Sequence, residues 1–372
     1  MHSKRFGAKR QEFSKRARAV HARRARCVRS QNDAAMRDAL KAVWSEATRT
    51  KAQTHRQFIY PEVHPMPTKG LSLYGLIFVF ALLSCGGTSR IVKEPKSAPA
   101  PGVKSTSDLG NALFRFVVYG DTRTNDAIHR EILTAVLDTN PDFILQTGDL
   151  VQFSGMQSQW RRFDQITQPI RDRHIPYYPS RGNHDVAGTN RYLSEVRDKF
   201  DSGNKLYYRF DSGNLRFISL DTASPLADTA SRQYLWLEQE LQRAKKENKI
   251  VVPFFHEAIF SVGTHAGENR KLRSVLHPLF QAYGVKLVFQ GHDHLYYRTQ
   301  RDNITYVVTG GGGAPLYAVR PELMEKGDVA RSIHHFCLAQ VFPDRIEVSV
   351  FARSSELGAA NKIDEFSVPL PH

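Results

Sequence analysis

Two aspartates, an asparagine and three histidines stand at the ends of apolar runs in this 372-residue chain, and as a set they could hold metal ions. Residues 114–119 lead into Gly120-Asp121-Thr122-Arg123, residues 143–147 into Gly148-Asp149-Leu150, and residues 176–179 toward Gly182-Asn183-His184-Asp185. Residues 250–255 lead into His256, and residues 286–290 into Gly291-His292-Asp293-His294. Two carboxylates, an amide oxygen and three imidazoles are a mixed oxygen and nitrogen set, suited to Mn, Fe or Zn rather than Mg or Ca. Six donors exceed the need of one catalytic ion, which keeps an open position. Two ions ~3.5–4 Å apart, sharing a carboxylate, can clamp the attacking and leaving oxygens of a displacement at phosphorus.

The elements that must carry these donors can be read from periodicity. Each donor follows a run rich in β-branched and aromatic residues, the pattern of a buried strand. In an open α/β sheet, ligands collect just beyond strand C-termini. The five runs are therefore expected to bring their ends to one rim. Helical spacing marks residues 127–137, 157–170, 192–200, 230–247 and 271–283, and residues 206–210 and 215–220 read as a hairpin about Ser212-Gly213-Asn214. After His294 the helical spacing stops. Residues 303–309, 336–342, 345–351 and 364–368 read as short strands, broken by Gly310-Gly311-Gly312-Gly313 and Pro343-Asp344. Strands without intervening helices predict a second sheet packed on the first. The expected class is α/β, a two-sheet β sandwich flanked by helices.

In the order of its motifs the chain resembles the calcineurin-like metallophosphoesterases, with some likeness to the purple acid phosphatases. The family pattern is Asp-x-His, Gly-Asp-x-x, Gly-Asn-His-Asp/Glu, a lone His after a strand, then Gly-His-x-His. This chain has Asp121-Thr122-Arg123, Gly148-Asp149-Leu150-Val151, Gly182-Asn183-His184-Asp185, His256 and Gly291-His292-Asp293-His294. The resemblance implies a four-layer αββα fold, hydrolysis of phosphate monoesters or diesters, and a centre of two metal ions. It implies that Asp149 bridges the ions, that Asp121 and His294 hold the first, and that Asn183, His256 and His292 hold the second. His184 is then not a ligand; it binds phosphate or protonates the leaving oxygen, with Asp185 orienting it. Water whose pKa the ions lower would be the nucleophile.

One position departs from the pattern. Where the family usually has a His ligand this chain has Arg123, and a guanidinium cannot coordinate a cation. Purple acid phosphatases also lack that His but carry a Tyr shortly after the second aspartate; the corresponding residue here is Gln152. The first ion is thus expected to be weakly held, by Asp121, Asp149 and His294 with water or the Gln152 amide. Arg123, being planar, suits a fork onto phosphate oxygens. The alternative that this departure keeps open is a non-catalytic protein of the same fold that binds metal or phosphate.

The rest of the chain bears on location rather than chemistry. The net charge is +15, and residues 1–65 hold sixteen Lys and Arg against five Asp and Glu, so +11 of it sits there and +4 elsewhere. No nucleic-acid partner is expected of the nearly neutral remainder. Lys69 precedes an apolar stretch of about 14 residues ending in small residues, the layout of a secretory signal peptide and short for a membrane span. Leu82-Leu83-Ser84-Cys85 resembles the bacterial lipobox, whose cysteine is lipidated and becomes the first mature residue. The expected organisation is a basic extension over 1–65, read either as preceding the true start at Met66 or as a real basic arm that would leave the apolar run as an internal anchor, then a lipoprotein signal peptide over 66–84, a flexible Pro-, Ser- and Lys-rich tether over 85–110, and the phosphoesterase-like domain over 111–372. The expected location is the bacterial cell envelope, with the membrane reached through lipidated Cys85 and a phosphate ester as substrate. Cys27, Cys85 and Cys337 form no Cys-x-x-Cys pair, and Cys337 reads as a buried, inert thiol. His265, His277, His334 and His335 are not expected as ligands, though His265 falls near the rim. Asp293 reads as a spacer or orienting residue. The four glycines from Gly310 suit either backbone approach to substrate or a tight connection.

Overall fold

Strand alternation sorts the side chains of Phe114–Tyr119 (β1) onto two faces: Phe116 and Val118 enter one apolar cluster, Val117 and Tyr119 another, and all four are buried. A strand buried on both faces needs a layer on each side, and the computed structural model, which describes residues 112–197, 205–353 and 362–371, supplies them. The expected extension, signal peptide and tether over 1–110 lie outside the described residues, which all fall within one compact unit, Lys93–His372.

Two sheets face each other. The first contains β1, Phe143–Gln146 (β2), Tyr177–Pro179 (β3), His335–Val341 (β11), Arg345–Ala352 (β12) and Lys362–Pro369 (β13), in the order β13-β12-β11-β1-β2-β3. The second contains Tyr208–Ser212 (β4), Leu215–Leu220 (β5), Ile250–Glu257 (β6), Leu287–Gly291 (β7), Tyr296–Arg301 (β8), Ile304–Thr309 (β9) and Val329–Arg331 (β10), in the order β10-β8-β9-β7-β6-β5-β4. Strands β1, β2 and β3 are parallel to one another, as are β5, β6, β7 and β9. The sandwich is therefore as the sequence predicts, but its division is not. The strands after His294 do not make a sheet of their own: β8, β9 and β10 extend the sheet of β4 to β7, while β11, β12 and β13 extend the sheet of β1 to β3. The hydrogen-bonding edges that β1 and β7 would otherwise leave open recruit these later strands, β11 pairing with β1 and β9 with β7.

Side chains between the sheets form the inner core, with Phe116, Phe143, Phe217, Phe254 and Phe289 at its centre; Phe143 and Phe217 meet edge to face, their ring centroids 5.2 Å apart. Helices Asp126–Asp138 (α1) and Gln157–Asp172 (α2) cover the outer face of the first sheet with Ile132, Val136, Trp160 and Phe163. Helices Arg232–Lys246 (α4) and Arg270–Ala282 (α5) cover the second with Leu237, Leu241, Leu276 and Phe280. A short helix, Thr189–Arg197 (α3), follows the Asn183 segment. Helix α4 begins two residues later than its apolar spacing suggested, because the Ser231 hydroxyl accepts a hydrogen bond from Tyr234 N and caps it. Cys337 is buried in β11, as expected of an inert thiol.

One buried helix residue sets an acid limit on this fold. His129 of α1 is 1% exposed, with Tyr119 Oη 3.4 Å from its Nε2. Burial, with a smaller contribution from Arg130, lowers its pKa from 6.5 to about 3. Between those values the unfolded chain binds a proton that the folded chain refuses, so stability is full above pH 6.5 and falls as the pH drops. The expected loss from this residue is roughly 2 kcal/mol at pH 5. Urea unfolding at pH 7 and pH 5 should show it, and His129→Gln should flatten the dependence; an unchanged pH slope in that variant would contradict the assignment.

Candidate metal centre

The C-terminal ends of β1, β2, β3, β6 and β7 deliver their polar residues to one seam between the sheets. Asp121 and Asp149 come from the first sheet just after β1 and β2, and Asn183 begins a 3₁₀ turn, Asn183–Gly188, beyond β3. His256 lies at the end of β6, and His292 and His294 follow β7 in the second sheet. One sheet thus supplies the oxygen donors and the other the imidazoles. Backbone bonds stitch the seam: His292 N donates to Asp121 Oδ2 (3.0 Å), Gly312 N to Gly120 O (2.8 Å), and Ala314 N to Asp121 O (2.8 Å). The four-glycine run therefore serves as a close connection across the sheets; a methyl on Gly312 would lie 2.4 Å from Gly120 O.

Three donor residues have left-handed backbones: Asp121 at φ +56°, Asp149 at +55° and His292 at +72°. Such conformations are uncommon outside glycine and cost on the order of 1–2 kcal/mol each. They turn the side chains off the strand ends and into the seam. Gly182 lets the third motif approach, since a Cβ there would sit 2.2 Å from Asp149 Oδ1.

Four donors converge as a coordination sphere would require. The Nδ1–H of His256 donates to Thr147 O at 2.9 Å, which leaves its Nε2 with a lone pair. That nitrogen lies 2.9 Å from Asn183 Oδ1, 3.1 Å from His292 Nδ1 and 3.4 Å from Asp149 Oδ1. Ligands ~2.1 Å from a common ion stand ~3.0–3.4 Å apart in octahedral or tetrahedral geometry. An acceptor nitrogen facing an amide oxygen and a carboxylate is repulsive without a cation between them, so these residues fit an ion. Burial lowers the pKa of both His256 and His292, and for His292 the neighbouring His256 and His265 add to it. Both rings are thus held neutral, the form that ligates.

The other expected ligand set is differently occupied. Asp121, Asp149 and His294 place one donor atom each within 4.8 Å of one another, and His294 Nε2 is 3.6 Å from Asp121 Oδ1. The His294 Nδ1–H donates to Pro315 O at 2.7 Å, leaving Nε2 as acceptor, and burial together with Arg123 lowers its pKa to about 3. The Arg123 guanidinium enters this set. Its Nε donates to Asp149 Oδ2 (2.9 Å), its Nη2 to His294 Nε2 (3.2 Å) and its Nη1 to Gln152 Oε1 (2.6 Å). Two expectations are corrected here. The Gln152 amide oxygen is turned to Arg123 rather than to an ion, and the Arg123 fork is committed to protein acceptors rather than free to grip phosphate.

Asp149 is the hub of the site. Burial pushes its carboxyl up, but His256, His184 and Arg123 beside it and the His184 amide hold it below the ordinary range. Asp121 moves the other way: burial, then the charge of Asp149, raise it well above 3.8. His184 is a quarter exposed, and its Nε2 lies 3.9 Å from Asp149 Oδ2, facing the centre. Its Nδ1 is fixed by the Gln152 carbonyl at 2.9 Å, not by Asp185 as the sequence suggested. Asp185 instead accepts from the amides of Gly182 (2.9 Å), Leu150 (3.3 Å) and Val151 (3.4 Å) and so pins the second and third motifs together. Burial and Asp149 raise its pKa to about 8 against those donors.

Among the remaining histidines, His277 pairs with Tyr306 and Asp302 on the second sheet's outer side, and His335 Nδ1 donates to Ile333 O. His265 does reach the rim: its ring lies tilted against His292 with the centroids 4.0 Å apart, and with Glu268 and His292 it forms a further group of potential donors. Asp293, fully buried, holds the loop before it by accepting from Ser261 Oγ and from His265 N (2.9 Å), the spacing role expected of it. Sequence reasoning missed Tyr317, whose ring stacks on His294 at 4.1 Å. It lies in an aperiodic stretch that carries no motif, so no local signal marks it.

Residues 114–296 match the family model for the calcineurin-like phosphoesterases. The chain is 30% identical over 172 residues to purple acid phosphatase 18 of Arabidopsis thaliana, covering 43% of this chain and 39% of that one. It is 26% identical over 248 residues to the tartrate-resistant acid phosphatase type 5 of Homo sapiens, covering 56% and 75%. It spans less than half the length of the plant relatives. Two solved structures share the fold at a TM-score of 0.56: a purple acid phosphatase, PPD1, from yellow lupin seeds, at 21% identity over 68% of this chain and 53% of that one, and GAP50, the anchor in the inner membrane complex of Plasmodium, at 16% over 70% and 89%. All six rim donors and His184 fall inside the matched segment, and the chain therefore carries a calcineurin-like phosphoesterase domain whose homologues include the purple acid phosphatases.

Proposed function

We propose that this protein is a metal-dependent hydrolase of phosphate monoesters or diesters. The observation that carries the reading is the convergence of Asp149 Oδ1, Asn183 Oδ1, His256 Nε2 and His292 Nδ1, with acceptor atoms facing one another across 2.9–3.4 Å. The family implies a two-metal centre. Asp149, Asn183, His256 and His292 would hold one ion, with Asp121, Asp149 and His294 as the other set, and the donors suit Mn, Fe or Zn. A bound ion supplies Lewis acidity at a phosphoryl oxygen and a lowered pKa for water.

The chain's own residues do the rest. Asp149 carries the negative charge that gathers cations at the seam. Arg123 offers its positive charge beside it. His184 keeps one proton on Nδ1, bonded to the Gln152 carbonyl, so Nε2 is the atom that can hand a proton to a departing alkoxide or bind a phosphate oxygen. Its partial exposure, against complete burial for His256, fits a group that meets substrate from outside.

The test is a panel of phosphate mono- and diesters incubated with the full chain, metal-loaded and after chelation. Hydrolysis that chelation abolishes is expected. Failure of the loaded protein on every ester would favour the second reading, a metal- or phosphate-binding protein without turnover, for which Arg123 in a ligand's place is the argument. The reading extends to a bacterial envelope enzyme tethered by a lipid at Cys85, supported by the apolar run and the Leu-Leu-Ser-Cys sequence. The intact mass of the native protein, beginning at a diacylated Cys85, checks that tether.

A further inference from the structure

We propose that the Arg123 guanidinium is the resident cation of the first metal position, so that this chain binds one ion, at Asp149, Asn183, His256 and His292, where its family implies two. The proposal deepens the phosphoesterase reading and rests on it for the meaning of the two donor sets.

Arg123 is no solvent-facing arginine that happens to approach a carboxylate. Its side chain is 10% exposed, and all three of its nitrogens donate to acceptors in the seam. Two of those acceptors, Asp149 Oδ2 and His294 Nε2, are atoms the first ion would need. A third, Gln152 Oε1, stands where purple acid phosphatases have a Tyr after the second aspartate. Thr124 Oγ1 at 3.4 Å adds to the shell, and with His294 from the second sheet and Asp149 and Gln152 from the first, residues from both sides of the seam close around the guanidinium. Pro315 O fixes the His294 tautomer, which leaves Nε2 as an acceptor that a guanidinium N–H satisfies as well as a metal would. Only Asp121 Oδ1 is left in that set, buried and without a partner, and one oxygen does not make a catalytic site of three protein ligands.

The fit of a permanent positive charge to this position has a physical basis. A guanidinium stays protonated at any working pH and presents its donors in a plane. A divalent ion arriving at the same acceptors would have to displace it from Asp149 and His294 while meeting its like charge at hydrogen-bond distance. The four donors of the second set make no such contact with Arg123 apart from the shared Asp149, whose two oxygens divide between the two positions: Oδ1 toward His256, Oδ2 toward Arg123. The bridging geometry is kept, with an arginine on one side of the bridge.

The full chain, equilibrated with excess Mn(II) and freed of loosely held metal by gel filtration, should contain one ion per chain by elemental analysis. Its low-temperature paramagnetic resonance spectrum should be that of isolated Mn(II). Arg123→His should raise the content to two and give the exchange-coupled spectrum of a close pair. Arg123→Ala, which removes the guanidinium without adding bulk, should also take up more than one. Two ions in the unaltered chain, or a content of one in both folded variants, would overturn the proposal. Ester hydrolysis by the same preparations keeps the two readings apart: one ion without turnover defeats the hydrolase and leaves this proposal standing, and two ions with turnover does the reverse.

Discussion

Asp149→Asn is expected to cost about 10³-fold or more in kcat/KM and most of the bound metal. The side chain is the meeting point of every charge in the site. Oδ1 accepts from the His184 amide at 2.9 Å and lies 3.4 Å from His256 Nε2, while Oδ2 accepts from Arg123 Nε at 2.9 Å. An amide of the same size carries no charge, and its NH₂ must replace one of the two oxygens. On either side a donor then faces a donor, the His184 N–H or the Arg123 Nε–H, and a buried guanidinium or metal loses its counter-charge. A unit charge at ~4 Å in surroundings of effective dielectric ~20 is worth about 4 kcal/mol, which is the stated factor. Asn tolerates the left-handed backbone at φ +55° at least as well as Asp, so the fold should survive. Metal content and turnover of the folded variant decide it: losses of less than tenfold in both would remove Asp149 from the centre of the mechanism.

His184→Ala is expected to lower kcat by about 10²–10³-fold on alkyl phosphates while leaving metal content unchanged. The imidazole is no member of the converging donor group; its Nε2 stands 3.9 Å from Asp149 Oδ2 with its other nitrogen tied to the Gln152 carbonyl. A group so placed acts on the substrate. The discriminating measurement is a pair of substrates. An alkyl phosphate departs as a strongly basic alkoxide that needs a proton, whereas a nitrophenyl phosphate leaves as a stable phenolate that does not. The variant should therefore fall much further on the first than on the second. An equal fall on both would replace proton donation with phosphate binding, and loss of metal would make His184 a ligand after all.

These two expectations and the Arg123 substitution bear on different atoms of one seam, which is why they separate. Asp149 governs charge, His184 the leaving group and Arg123 the number of ions. The His129 acid sensitivity, by contrast, belongs to the packing of α1 on the first sheet and should appear in unfolding even where catalysis is untouched.

The amino-acid sequence by itself determined the donor inventory and the elements that deliver it. Glycine-bounded Asp, Asn and His after β-branched runs are local signals, because a strand's burial and a tight turn are each written in a few neighbouring residues. Buried-strand runs interleaved with helical spacing, followed by strands without helices, likewise specified a layered α/β sandwich. What only the tertiary structure decided is which partner each polar atom finds across the fold. Sequence order assigned the strands after His294 to their own sheet, whereas open strand edges distributed them between both. Adjacency in sequence suggested that Asp185 serves His184, but it serves the amides of Leu150 and Val151, brought near by the pairing of β2 and β3. Residue type left Arg123 free for substrate, yet His294, 171 positions away, and Asp149 and Gln152 take up its donors. Hydrogen bonds and ion pairs depend on ångström distances between segments remote in the chain, and no local pattern encodes those distances.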